Sequence, residues 1–484
     1  MGYKTLERVA MRISTEAATV SGSPKSPPNT VAMALLPYFI VLLTLICISI
    51  LCANMTLFNF TVICMEPSEK RVKSLNSTRA FNTTQEGWLL STTAIGVVLG
   101  TFPAIWTTDK IGLRLSFTLS GLLSGLATLL MPMASSSFVG VLLVRFFQGT
   151  GMAFGYLACG AVPITWGGQA KGLFVSILTC SYQLGPFMAM LTSGYFCISP
   201  YGWQAVYYLY GGLTTISCIF FFALYSNVPH KHMLAARNKV NPLPDSRSFK
   251  AKKAKTPYGR MITCPSIWGL VSTSLGDAVG YEVFLIYGPI YVNTVLKLEI
   301  HKTGMLSALP YLLSIIAKIL AGIFLDKATC LGENFKCLSF ISLSQLALTV
   351  AFAALTLISA DMTFLPGFLF TITMVVSGIH HVGLMNASQI VAQQFTPVLA
   401  SVLAAEFNLV GLALPPIFSL IMPNYSEEEW QTVFYGIVVI LVVTNVLFIA
   451  LTKVKSAKWT RGQLMECEGE SERELSIVHL HDLC

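Results

Sequence analysis

Unbroken apolar stretches of about twenty residues recur along this chain from residue 34 to residue 453, and they restrict its fold more than any other feature. A bilayer core offers no water to backbone N–H and C=O groups, so a spanning segment must close its own hydrogen bonds. Strand-built spans alternate apolar and polar residues over about ten positions. These runs are longer and do not alternate, so the spans are helical. Composition agrees. Of 484 residues, 54% are hydrophobic and 11% charged, against about 25% charged in soluble domains, and mean hydropathy is +0.67. A soluble enzyme is excluded, and so is a signal peptide ahead of a soluble ectodomain.

The expected fold class is all-α, a polytopic membrane protein with twelve transmembrane helices in two six-helix, pseudo-symmetric bundles. Approximate centres are Leu45, Leu99, Leu123, Gly149, Thr179, Ile216, Val279, Leu313, Leu346, Met374, Val410 and Ile440. The longest internal polar stretch divides them six and six. The expected organisation is a tail over 1–33, a bundle over 34–226, a basic loop over 227–262, a bundle over 263–453 and a tail over 454–484.

Basic residues set the orientation. Lys231, Arg237, Lys239, Arg247, Lys250, Lys252, Lys253, Lys255 and Arg260 crowd the central loop, which the positive-inside rule places in the cytoplasm together with both termini. The excess of 31 Lys and Arg over 23 Asp and Glu therefore belongs to the membrane surface and calls for no nucleic acid. The sequons at Asn76, Asn82 and Asn424 fall on the opposite, outer side and are candidate glycosylation sites. Those at Asn54, Asn59 and Asn386 lie in apolar stretches, where no sugar is expected. The twelve cysteines form no framework. No CxxC occurs, and Cys47, Cys52, Cys159, Cys180 and Cys218 sit in apolar runs as small apolar side chains.

Two short strings occupy corresponding places in the two halves. Asp109-Lys110-Ile-Gly112-Leu-Arg114 follows span two, and Gly322-Ile-Phe-Leu-Asp326-Lys327 follows span eight. An acid beside a base at a helix end can latch neighbouring helices and release them when that side opens. Occurrence in both halves favours a latch over solvated loop charge. Span four carries Arg145-Phe-Phe-Gln148-Gly149-Thr-Gly151, with a charge that needs a cavity or a partner. Span five carries Gly185-Pro186, a helix-weakening pair.

DKIGLR and RFFQGTG resemble signatures of the major facilitator superfamily. GWQAVYYLYGG at 202–212, TGMLSALPYLL at 303–313 and EEWQTVF at 428–434 resemble strings of its anion/cation symporter family, which includes sodium-phosphate cotransporters, sialin and vesicular glutamate transporters. The similarity runs from about residue 35 to residue 460. NFTVICM at 59–65 and SQIVAQQF at 388–395 resemble a divergent invertebrate branch. The resemblance implies two bundles around a central cavity, alternating access, and a small anion (phosphate-like or carboxylate) moved with Na⁺ or H⁺. This chain departs from the glutamate transporters at Asn54 or Met55, Leu90, Met152 and Asp277, where they carry Arg, His, Glu and Arg. Only Arg145 remains of that set, so their mechanism does not carry over.

The ionisable groups within spans are Arg145, Asp277, Glu282, Lys318, His380, His381 and Glu406. Arg145, Asp277, His380, His381 and Glu406 are the candidates for the substrate and ion pathway. Arg145 either braces the bundle or touches substrate. Lys318 lies where a lysine can snorkel. Asp277 and Glu282 stand about 140° apart on one helix and do not share a stripe. Of these two, Asp277 is the candidate for cation coupling. One of the adjacent histidines is a candidate proton carrier. No cofactor or metal is expected beyond a coupling Na⁺ or H⁺. The expected setting is a plasma or endolysosomal membrane, with the protein acting as a monomer among lipid. The alternatives are a receptor built on a transporter fold and an intramembrane enzyme. No nucleophile–base spacing supports the enzyme.

Overall fold

The computed structural model describes residues 29–65, 80–167, 171–227, 257–327, 332–357, 364–457 and 459–460. Asn76 and most of the 227–262 loop lie outside the described residues. Span one is Asn29–Thr61, span two Thr83–Ile111, span three Leu113–Ala134 and span four Phe138–Trp166. Span five comes in two pieces, Lys171–Thr179 and Ser181–Ile198, and span six is Gln204–Leu224. In the second half, spans seven to nine are Pro265–Thr294, Ile300–Lys327 and Glu333–Leu357. Spans ten to twelve are Phe364–Ala392, Thr396–Ile421 and Glu427–Leu451. The fold is the expected all-α one, with no strand among the described residues.

Eleven of these helices are long and apolar enough to cross a membrane. Span seven, with 30 residues, is about 45 Å long but too polar to qualify, because Asp277, Glu282 and a set of Gly, Ser and Thr residues dilute it. Helix starts follow local chemistry. Asn82 caps span two, its side chain accepting from the Gln85 N–H at 2.8 Å. Ser426 and Glu429 form a capping box at span twelve, with Glu427, Glu428 and Glu429 against the positive end of the helix. Span five breaks at Cys180 rather than at Gly185-Pro186. Pro186 lacks an N–H and crowds the carbonyl one turn earlier, so the disturbance appears ahead of it. Gly185 serves contact instead, since a Cβ there would stand 2.6 Å from Cys52 Cβ on span one.

A disulfide joins Cys64, just past span one, to Cys197 at the end of span five, with Cα atoms 6.0 Å apart. It marks one end of the bundle, the bridge face. Cys47, Cys52, Cys159, Cys180 and Cys218 are free, as expected. The bridge escaped the sequence reading because its two cysteines are 133 residues apart. Their shared position at span ends on one side was the available signal.

The halves meet along three seams, spans two with eleven, five with eight and one with seven. Ser91 donates to the Leu412 carbonyl at 2.9 Å, Thr83 to the Pro423 carbonyl at 2.6 Å and Tyr425 to Glu86 at 3.1 Å. A Cβ built on Gly194 would stand 2.8 Å from Gly304 Cα, so spans five and eight touch backbone to backbone. Among the described residues, the hydrogen bonds between halves lie between the membrane middle and the bridge face.

Within the first half, spans two and four approach as closely. A Cβ on Gly149 would fall 2.0 Å from the Thr93 carbonyl oxygen, and one on Gly96 2.2 Å from that of Phe146. Backbone cannot yield as a side chain can. Gly149→Leu is expected to destabilise the bundle by about 1–3 kcal/mol or more through overpacking. A lowered thermal midpoint in detergent checks this; an unchanged midpoint contradicts the contact.

Candidate functional site

The in-span charges lie at different depths. Arg145 is seven residues from the bridge-face end of span four, about 10 Å down the helix, and is 1% exposed. Its Nη1 donates to the Met55 carbonyl at 2.5 Å, its Nε to the Leu89 carbonyl at 3.1 Å and its Nη2 to Asn59 Oδ1 at 3.2 Å. The guanidinium also lies 5.0 Å from the centre of the Phe58 ring. Spans one, two and four are thereby tied together by one side chain. Asn59 in turn donates to the Leu285 carbonyl on span seven at 3.2 Å, carrying the tie into the other half. Asn54 and Asn59 are buried, in keeping with sequons that carry no sugar. Exposed Asn82 and Asn424 both lie on the bridge face. Asn424 donates from Nδ2 to Glu429 at 3.3 Å.

Midway down, Glu282 is 5% exposed and faces Gly411 of span eleven, whose Cβ position is 3.4 Å from Glu282 Oε1. Asp277 points elsewhere, as their separation around the helix requires. Its Oδ2 lies 3.4 Å from His380 Nδ1. His380 Nε2 pairs with the Thr273 hydroxyl at 2.9 Å. Thr273 also bonds Gln345, which donates to Thr444 at 2.7 Å. The result is a buried polar chain joining spans seven, nine, ten and twelve. Asp277 Oδ1 has no hydrogen-bond partner among the described residues.

Asp277, Glu406, Lys318 and His381 stand 9–12 residues from the ends of their helices on the face opposite the bridge, about 14–18 Å in. The Ser274 hydroxyl hydrogen-bonds Glu406, whose Oε2 has no partner. His381 is exposed, although Lys318, Asp277 and His380 are its electrostatic neighbours. A side chain so surrounded and still accessible lines an opening. A separate cleft of about 490 Å³ between Tyr195, Phe196, His301 and Met305 lies on the bridge face, away from these charges.

The latch strings lie at the opposite face, each within its own half. Gly112 turns the chain between spans two and three at φ +81°, and Asn227 occupies the space a Cβ would need. Arg114 donates from its backbone N–H to Asn227 at 2.9 Å and from Nε to the Phe222 carbonyl at 2.6 Å. Lys110 sits 3.9 Å from the centre of the Trp106 ring. Asp109 is exposed and makes no ion pair among the described residues. Gly322 has open space around it, Lys327 is exposed, and the Asp326 side chain lies outside the described residues.

The family model for the Major Facilitator Superfamily matches residues 42–401. Human sialin is 25% identical over 381 residues, covering 77% of this chain and 76% of that protein. Human sodium-dependent phosphate transport protein 1 is 24% identical, covering 78% and 82%. Among solved structures, a D-xylose-proton symporter superposes with a TM-score of 0.67 at 14% identity, covering 87% of this chain and 99% of that one. A bacterial homolog of the human lysosomal transporter Spinster, inward-facing and occupied, gives 0.64 at 13% identity, covering 88% and 97%.

Three of the five N–H donors of Arg145 tie span four to spans one and two. Arg145→Lys is expected to cost at least about 1.5 kcal/mol, because one ammonium cannot reproduce charged bonds in three directions. Thermal unfolding in detergent checks it. Unchanged stability with lost anion binding would make Arg145 a substrate contact instead.

Proposed function

Because this chain belongs to the Major Facilitator Superfamily, we propose that it is a secondary transporter moving a small anion, phosphate-like or carboxylate, by alternating access with Na⁺ or H⁺. The names of its relatives support the substrate class: a sodium-dependent phosphate transport protein and a probable urate exporter stand among them. The observation that carries the mechanism is geometric. The halves are joined from the middle to the bridge face, while His381 stays exposed amid interior charge. That is one end state of a carrier, sealed on one side and open on the other.

The bridge face is the outer one. Disulfides persist outside the reducing cytosol, the sequons at Asn82 and Asn424 lie there, and the described basic residues Lys110, Arg114, Arg260 and Lys327 lie opposite. Both termini are then cytoplasmic and the opening faces the cytoplasm, in a plasma or endolysosomal membrane. Working as a monomer, the carrier uses its two halves as the moving parts. Coupling draws on carboxylate oxygens that lack donors, Asp277 Oδ1 and Glu406 Oε2. Each can accept a proton or offer one oxygen to an Na⁺. The latch charges Asp109 and Asp326 are the contacts that reform when this side closes.

Reconstituted protein in liposomes is expected to take up inorganic phosphate or an organic carboxylate saturably, faster with an inward Na⁺ or H⁺ gradient. Anion entry no faster than in protein-free liposomes under both gradients would refute the reading. Asp277→Asn is expected to abolish gradient-driven accumulation while leaving anion exchange at half of wild type or more. A carrier couples two gradients only by binding both species differentially. Full gradient-driven uptake in that variant would assign Asp277 a structural role with His380.

A further inference from the structure

We propose that Lys318 and His381 form the anion seat of this carrier, a subsite on spans eight and ten for one carboxylate or phosphate group. The inference rests on the reading of the chain as an anion carrier and names the side chains that hold the cargo. An anion entering a low-dielectric interior needs a cation or several donors to replace its hydration. Arg145 is sealed at 1% exposure, with three of its five N–H donors already serving Met55, Asn59 and Leu89. Lys336 is held by Glu333 and the Leu325 carbonyl, and Lys302 by Glu299 near the bridge face. Lys318 is only part-buried where Arg145 is sealed, and it has no carboxylate within 4 Å among the described residues.

Its direction is set by a glycine. A Cβ on Gly378 would stand 3.3 Å from Lys318 Cε and 2.2 Å from Ser314 Oγ, so the lysine stem lies along span ten in space that any larger residue would fill. The ammonium is in electrostatic range of Asp277 on span seven and of Cys180 on span five, across the divide between halves. A lysine snorkelling to the membrane surface would have none of these neighbours. His381 follows Gly378 by three residues on the same helix, feels Lys318 and Asp277, and is exposed. An ammonium with three donors and an imidazole with one thus converge on one accessible place. Asp277 stays 3.4 Å from His380 rather than pairing with Lys318, which leaves the ammonium for the cargo. With Asp277 as counter-charge the empty seat is close to neutral, and a bound anion leaves one negative charge for the co-transported cation to cancel.

Cys180 is a reporter placed by the fold. In a variant keeping Cys180 as the sole free thiol, with the Cys64–Cys197 bridge intact, an anionic methanethiosulfonate should react there faster than a cationic one. Relative to Lys318→Gln, that preference should be about fivefold greater, the effect of roughly 1 kcal/mol of local potential. Inorganic phosphate or gluconate should slow the reaction in the wild-type background. Lys318→Arg should keep both effects, Lys318→Gln should lose both, and His381→Asn should weaken the protection. Protection that persists in Lys318→Gln, or its absence in the wild-type background, overturns the seat. Liposome uptake separates this inference from the one beneath it. Wild-type uptake that survives Lys318→Gln overturns the seat alone, whereas no uptake by the wild type overturns the carrier reading.

Discussion

A charge placed inside a bilayer must be satisfied by the protein itself, and much of this architecture answers to that demand. Insertion of an arginine at mid-span costs roughly 2.5–3.5 kcal/mol, and leaving it unpaired within a bundle costs more. Arg145 meets the demand with two backbone carbonyls and one side-chain amide. It thereby fixes the mutual positions of spans one, two and four. Asn59 then passes the tie to Leu285 of the second half. Sealed at 1% exposure, this residue is closed to cargo in the present state, and the accessible cations lie elsewhere.

The same demand shapes the second half differently. Its buried polar groups form a chain, Asp277–His380–Thr273–Gln345–Thr444, rather than a hub. The chain crosses four helices and ends in a carboxylate oxygen without a donor. One half is held by a buried cation with three of its five donors engaged, and the other keeps an unsaturated anion next to an accessible histidine and lysine. Glycines supply the complement. Where Gly194 meets Gly304 the seam is backbone on backbone, a surface without side chains to tangle when the halves part.

Much of this was open to a sequence reader, in a particular order. Apolar run length located the helices, because membrane thickness leaves no alternative, and even span seven was found by its length despite its dilution by Asp277 and Glu282. Sequence spacing also separated Asp277 from Glu282 correctly, since 3.6 residues per turn decides which faces they occupy. Rotation relative to neighbours was not readable. Whether Arg145 braces or binds depends on which carbonyls lie opposite, and Met55 and Leu89 carry no mark of that role. Lys318 looked like a snorkelling residue because neither its distance of nine residues from the helix end nor the Gly378 groove that takes its stem is marked in the sequence. Cys64 and Cys197 looked unremarkable because their pairing is a property of helix packing across 133 residues.

The central claim is that two halves rock about a fixed interior site, sealed now on the bridge face. Pulsed electron resonance between paired spin labels tests it most directly. One pair, on Trp88 and Leu420, reports the bridge-face ends of spans two and eleven; the other, on Ile105 and Val402, reports their opposite ends. All four positions are exposed. Addition of a transported anion with its gradient ion should populate a state in which the first distance lengthens as the second shortens. Distances that stay fixed, or that change in the same sense at both faces, would contradict the account.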